Sequence, residues 1–250
     1  MVTTRQGAAA TAREGGTAGE LPPSAKEKLI RNSVIFGGLD DETLRSLVQV
    51  SRTRRLRKGT MLFQQGDEGD ALYGVVDGLI RICIAGESGK ELTLALMEPG
   101  DIFGEIALLD GLPRSADAFA AEDATLLVID RAQFTPMLER GGKLARHVIE
   151  LLCERLRENT ARLGEHAFLN LQARLARKLQ HLAVAHGRRD GHGITIDVKL
   201  SQTELAQMLG VTREAVNKQL QTWTKQGLLR LERGHITIAD EKKLAEFQSQ

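Results

Sequence analysis

The sequence predicts an α+β chain in three consecutive parts: an N-terminal antiparallel roll of short strands, a long helix, and a C-terminal winged helix-turn-helix. Three observations predict it. Between Leu56 and Ile129, short aliphatic and β-branched runs alternate with glycine-bearing turns. From Lys143 to His166 there is no proline, and apolar residues recur every three or four positions. From Ser201 onward, two capping residues, a small residue and a glycine stand at the spacing of two short helices meeting in a tight turn.

At 250 residues the chain is long enough for two cores, and its 42% hydrophobic and 27% charged content is that of a globular protein. No apolar run approaches the ~20 residues that span a bilayer. Met1 to Ala25 lacks the apolar stretch of a secretory signal and is rich in Ala, Gly and Thr, so a disordered tail is expected over 1–25. Cys83 and Cys153 lie far apart and belong to no CxxC, which points to reduced thiols in a cytoplasmic protein.

A helix is expected over Asp40–Val50, with Asp40 as its cap. In the roll, the runs Ala71–Val76, Leu79–Ile84 and Glu91–Leu96 read as strands. Asp77-Gly78 between two of them predicts a tight hairpin, and Gly86 to Lys90 predicts another turn. The expected boundaries are 26–142 for the roll domain, 143–168 for the long helix and 169–250 for the winged helix-turn-helix. On the long helix, Ala145, Val148, Leu152, Leu156, Asn159 and Leu163 form a heptad-like seam. That stripe suits either packing on its own domain or a parallel dimer, and the polar Asn159 on the seam favours the dimer. Next come an amphipathic helix over Leu171–Ala185, a polar turn from His186-Gly187, and two short strand-like pieces within Ile194–Lys199.

The C-terminal motif carries its own chemistry. Ser201 can cap the first helix with Glu204 three residues on, and Gly210 supplies the left-handed turn residue. Thr212 caps the second helix, while Val216 and Leu220 return to the core. Arg213, Glu214, Asn217 and Lys218 then stand on its outer face near the N-terminus, where a recognition helix meets base edges. Arginine can pair with guanine and glutamate can accept from cytosine. Gly227 to Ile238 reads as a hairpin turning at Arg233-Gly234, a wing. Charge agrees: Ala167–Gln250 holds 13 Lys/Arg against 8 Asp/Glu, while the remainder of a chain with net charge +1 is acidic.

From about Phe36 to its end the chain resembles the CRP/FNR superfamily of transcription regulators. The most specific match is Phe103-Gly104-Glu105-Ile106-Ala107-Leu108-Leu109-Asp110-Gly111-Leu112-Pro113-Arg114-Ser115-Ala116, which is similar to the family's phosphate-binding cassette for cyclic nucleotides. The resemblance implies a cyclic-nucleotide-binding β-roll, a homodimer joined by its long helix, and double-stranded DNA as partner. It implies cAMP as effector, with cGMP the alternative, and RNA polymerase as a further candidate partner. Ligand contacts are expected from Gly104, Glu105, Ile106, Arg114, Ser115, Asn159 and Thr160. Chemically, Gly104 opens a helical turn with free N–H groups, Arg114 offers a planar fork to phosphate, Ser115 adds a hydroxyl, and Glu105 can accept from a ribose hydroxyl. The competing reading is that Glu105 and Arg114 merely pair with each other. Asn159 stands where cAMP-binding members carry a hydroxyl residue, which leaves the base open. By the same resemblance Arg213, Glu214 and Lys218 read bases, and Ser201, Thr203 and Thr212 contact phosphates. Lys218 departs from the arginine of the cAMP-responsive prototype.

Other activities are disfavoured. Residues 1–82 contain no cysteine for an iron–sulfur cluster, and the six histidines show no zinc spacing, so no metal is expected. Gly86–Lys90 mimics the end of a P-loop, but Ile84 replaces its first glycine and Glu91 its Ser/Thr. No catalytic arrangement stands out, so the chain does not read as an enzyme. Two rival modes remain: DNA binding with no ligand control, and a nucleotide-binding module that acts through protein partners.

Overall fold

A computed structural model of the chain describes residues 20–33, 36–86, 89–140, 142–232 and 234–249. Two helices lead, α1 (Pro23–Asn32) and α2 (Asp41–Val50). The strands β1 (Arg52–Leu56), β2 (Met61–Phe63), β3 (Ala71–Asp77), β4 (Ile80–Ala85), β5 (Glu91–Met97) and β6 (Ile102–Phe103) follow. A short α3 (Glu105–Asp110) precedes β7 (Asp117–Ala120) and β8 (Ala124–Asp130). Then come α4 (Arg131–Glu139), the 26-residue α5 (Lys143–Phe168) and α6 (Leu171–His186). The last part holds β9 (Gly187–Asp190), β10 (Gly193–Ile196), α7 (Gln202–Leu209), α8 (Arg213–Lys225), β11 (Leu229–Glu232), β12 (His235–Ile238) and α9 (Glu241–Glu246).

Two four-stranded antiparallel sheets, ordered β1-β8-β3-β6 and β2-β7-β4-β5, enclose one apolar interior. Strand periodicity explains the sidedness. Tyr73, Val75, Leu126 and Val128 point inward to Leu62, Ile80, Met97 and Ala118. Their neighbours Leu72, Leu127 and Ile129 point out into a second core with Leu44, Leu47, Phe134, Leu144 and Val148. Strands apolar on both faces read as continuous hydrophobic runs, as Leu126–Ile129 does. The third core joins α6 to α9 with the sheet β11-β12-β10-β9 around the fully buried Trp223.

Several expectations hold. Asp40 caps α2 by accepting from the Thr43 amide, and Gly86 to Gly89 closes the β4–β5 hairpin, with residues 87 and 88 outside the described set. Wing strands β11 and β12 pair antiparallel, though Arg233 at their turn is outside the described residues.

Four expectations change. Asp77-Gly78 does not close a hairpin, because β3 and β4 lie in different sheets. Gly78 is a corner at φ +83°, where a Cβ would come within 2.1 Å of the Asp123 carbonyl. Residues 20–25 depart from the disordered tail expected over 1–25. Pro23 opens α1 with a φ already suited to a helix, and Glu20 and Leu21 bond to Thr53 of β1. Residues 1–19 lie outside the described set. The polar turn after α6 is itself strand, β9, pairing with β10, so the strand-like pieces lie earlier than Ile194–Lys199. Val148 leaves the α5 seam for the core of its own domain, since α5 begins packed on α4 and the roll. Along the seam α5 exposes Ile149, Leu152, Leu156 and Leu163, with Asn159 completing the three-and-four spacing.

Candidate functional site

The cassette is a loop held from both ends. Strand β6 delivers Gly104, whose left-handed φ of +80° starts α3, and Gly111 at φ +76° stops it. A Cβ on Gly104 would stand 2.8 Å from an Arg114 nitrogen and 3.1 Å from the Tyr73 ring, so only glycine allows this close approach. Backbone bonds between Gly66 and Arg114 (2.9 Å) and between Arg114 and Asp67 (2.8 Å) fix the returning segment.

Arg114 is drawn into the roll with 4% of its surface exposed. Its Nη1 donates to the Gly104 carbonyl and its Nη2 to the Ala71 carbonyl, both at 2.8 Å. The guanidinium lies 4.3 Å above the Phe63 ring centroid and 5.5 Å from that of Tyr73. Its Nε has no hydrogen-bond partner, and burial pulls the Arg114 pKa down. A guanidinium has five N–H donors, so this one keeps donors in hand for an anion.

Glu105 is 3% exposed, and neither carboxylate oxygen makes a hydrogen bond. Burial pushes its pKa up, against the pull of the Arg155 guanidinium 3.1 Å away. The expected alternative pair, Glu105 with Arg114, is therefore replaced by Glu105 with Arg155 of α5. A buried carboxylate with unfilled acceptor sites is costly unless a donor arrives, and a sugar hydroxyl is such a donor. The residues present thus fit a phosphate-bearing, hydroxyl-bearing ligand. Ser115 and Ile106 are exposed at the rim.

Helix α5 bears on the roll through Arg155, which also donates to the Ile102 carbonyl, and through Arg162, which donates to the Leu94 carbonyl. Asn159 lies between them at helical spacing, about 6 Å along the axis from Arg155. It therefore borders both the roll and the exposed seam. Thr160 is exposed, its hydroxyl donating to the Leu156 carbonyl of its own helix. The sequence reading missed Arg155, and also Phe63 and Tyr73. The available signal was that a buried Glu105 requires a counter-charge, with Arg155 one helical turn before Asn159.

In the C-terminal part, Ser201 accepts from the Glu204 amide while the Glu204 carboxylate accepts from the Ser201 amide, the full capping box. Gly210 turns at φ +63°, and Thr212 caps α8 by accepting from the Ala215 amide. Ser201, Thr203 and Thr212 are all exposed, and the two capping hydroxyls still have a hydrogen to donate. Arg213, Glu214 and Lys218 are exposed on the first turns of α8. Asn217 differs from its expected place on the outer face. It is half-buried and accepts from Gln202 at 3.1 Å, so it ties α7 to α8. Among the described residues no helix is long and apolar enough to cross a membrane, and no three acidic, His or Cys side chains cluster to hold a metal.

Comparisons with known proteins match both domains. Residues 53–140 match the cyclic nucleotide-binding domain family and residues 173–247 the Crp-like helix-turn-helix domain family. The chain is 34% identical to a cyclic AMP receptor protein from Thermus thermophilus over 218 residues, 87% of this chain and 98% of the relative. It is 28% identical to a CRP-like cAMP-activated global transcriptional regulator from Mycobacterium tuberculosis over 219 residues, 88% and 98% of the two chains. A mutant CooA from Carboxydothermus hydrogenoformans superposes with TM-score 0.68 at 28% identity, covering 80% of this chain and 88% of the other. A CRP/FNR-family transcriptional regulator from Thermus thermophilus gives 0.64 at 30% identity, covering 79% and 98%.

Proposed function

Since the chain belongs to the CRP/FNR family of transcription regulators, we propose that it is a homodimeric DNA reader gated by a cyclic nucleotide, with cAMP as the effector. The observation that carries this is the buried pair of unequal needs in the roll. Glu105 keeps acceptor sites beyond its ion pair with Arg155, and Arg114, packed against Gly104, holds spare donors. A bound cyclic nucleotide would supply a phosphate anion for Arg114 and Ser115 and a ribose hydroxyl for Glu105. Asn159 and Thr160 stand on α5 to meet the base, and an amide that both donates and accepts suits either cAMP or cGMP.

The working division is a roll domain over 26–142, a dimer helix over 143–168 and a DNA-binding domain over 169–250. Two copies of α5 cover each other's Ile149, Leu152, Leu156 and Leu163, with Asn159 as the polar member of the seam. The paired α8 helices then enter successive major grooves ~34 Å apart, with Arg213, Glu214 and Lys218 toward bases. Ser201, Thr203 and Thr212 meet phosphates, whose charge the basic C-terminal third complements. Asn217 supports the reading helix. The protein acts in the cytoplasm, where DNA and RNA polymerase are its partners.

A second reading, DNA binding without ligand control, is favoured by one fact: both Nη atoms of Arg114 already bond to carbonyl oxygens. Calorimetric titration with cAMP and cGMP separates the two. The gated reading expects saturable binding of one nucleotide per chain, weakened at least tenfold in Arg114→Ala. No heat from either nucleotide would leave only the ungated reader.

A further inference from the structure

The β4–β5 hairpin touches both ends of the proposed switch. Its inner face lines the roll with Ile82, Ala95 and Met97. Strand β5 is also the outer strand of its sheet, and α7 packs along it. Glu91 Oε2 accepts from Gln207 Nε2 of α7 (2.9 Å) and from Arg81 Nη1 (2.8 Å). Gln207 Oε1 accepts from the same Arg81 nitrogen at 3.0 Å, which closes a ring of three side chains across the two domains. One residue on, a Leu92 methyl packs at the helix-turn-helix corner, where a Cβ on Gly210 would be 3.3 Å away. Next, the Leu94 carbonyl accepts from Arg162 of α5, and beyond it Glu98 lies 2.7 Å from His186 of α6.

The ring is built around Gln207. Arg81 stands opposite Leu96 and Glu91 opposite Ala85, so the two charges are not cross-strand neighbours. Each extends along the hairpin to converge on the amide. An amide between a guanidinium and a carboxylate has only one satisfactory orientation, carbonyl to arginine and NH2 to glutamate. Mere covering of an outer strand would not require such matched polarity.

We propose that Arg81, Glu91 and Gln207 form an interdomain latch that sets the angle of the helix-turn-helix on the roll. Through it, β5 passes displacements of the roll and α5 to the reading helix. This rests on the gated reading above. Gln207 belongs to neither the nucleotide cassette nor the DNA face, so the latch can be cut without touching either site.

The test uses the full chain and the variants Gln207→Ala and Glu91→Gln. Alanine is a strong helix former, so α7 persists. Hydrogen exchange of β5 amides, in the opposite domain from Gln207, should rise about tenfold in Gln207→Ala. The ratio of DNA affinity with and without cAMP should shrink by a similar factor, within the usual five- to 150-fold range of coupling between sites. Unchanged β5 exchange overturns the latch. Faster exchange with the same cAMP ratio as wild type overturns its role in transmission. If wild-type DNA affinity itself ignores cAMP, the gated reading fails and transmission fails with it, while β5 exchange in Gln207→Ala still decides separately whether the contact holds.

Discussion

The proposed dimer seam allows a sharp perturbation, Leu156→Glu. Leu156 is 67% exposed in the single chain, on the same stripe as Ile149 (60%) and Leu163 (72%). Full burial of a leucine side chain is worth about 1.5–3 kcal/mol. Covering the two-thirds still exposed therefore contributes about 1–2 kcal/mol per subunit, or about 2–4 kcal/mol for the symmetric pair. At 1.4 kcal/mol per factor of ten, its loss weakens dimerisation about 30- to 700-fold. Two glutamates facing each other across the axis push further the same way. Because the side chain is exposed in the single chain, the variant should keep its helical circular dichroism. Sedimentation equilibrium measures the association constant directly. A variant that associates as tightly as wild type would refute the use of this stripe as the dimer surface.

Glu105→Gln should separate stability from binding. Burial raises the Glu105 pKa, so the folded state holds this proton more tightly than the unfolded state. The stability this supplies is complete below the ordinary carboxylate value and is lost as pH rises through the raised one. Denaturant titrations across that range should show a decline in wild type that the glutamine variant lacks, while its nucleotide affinity falls. Gly78→Ala should destabilise the roll by more than about 1 kcal/mol, because both its positive φ and the Asp123 carbonyl oppose a side chain; an unchanged midpoint in urea would contradict the corner geometry. Ser201→Ala should cost about 1 kcal/mol through loss of the capping box and lower the thermal midpoint.

Features written in local chemistry were legible in the sequence. The capping box at Ser201, the left-handed Gly210 and the cap at Thr212 each rest on residues within four positions, and each is where the spacing puts it. The cassette was legible for the same reason, as Gly104, Glu105 and Arg114 lie on one continuous loop. Long-range pairing was not. Asp77-Gly78 specifies a corner but not whether the next strand returns beside the first or crosses to the other sheet. Val148 fits a heptad as well as a domain core, and only the packing of α4 on α5 decides. Arg155 meets Glu105 across 50 positions, and Gln207 meets Glu91 across 116, distances that no periodicity records.

Cyclic-nucleotide control of DNA binding is measured most directly by fluorescence anisotropy on a palindromic duplex with half-sites one helical turn apart, selected on the protein itself, titrated with and without cAMP. The duplex should bind at least tenfold more tightly with cAMP, and Arg114→Ala should abolish the difference. Equal affinity with and without nucleotide, cGMP included, would contradict gating and leave a reader that is always on.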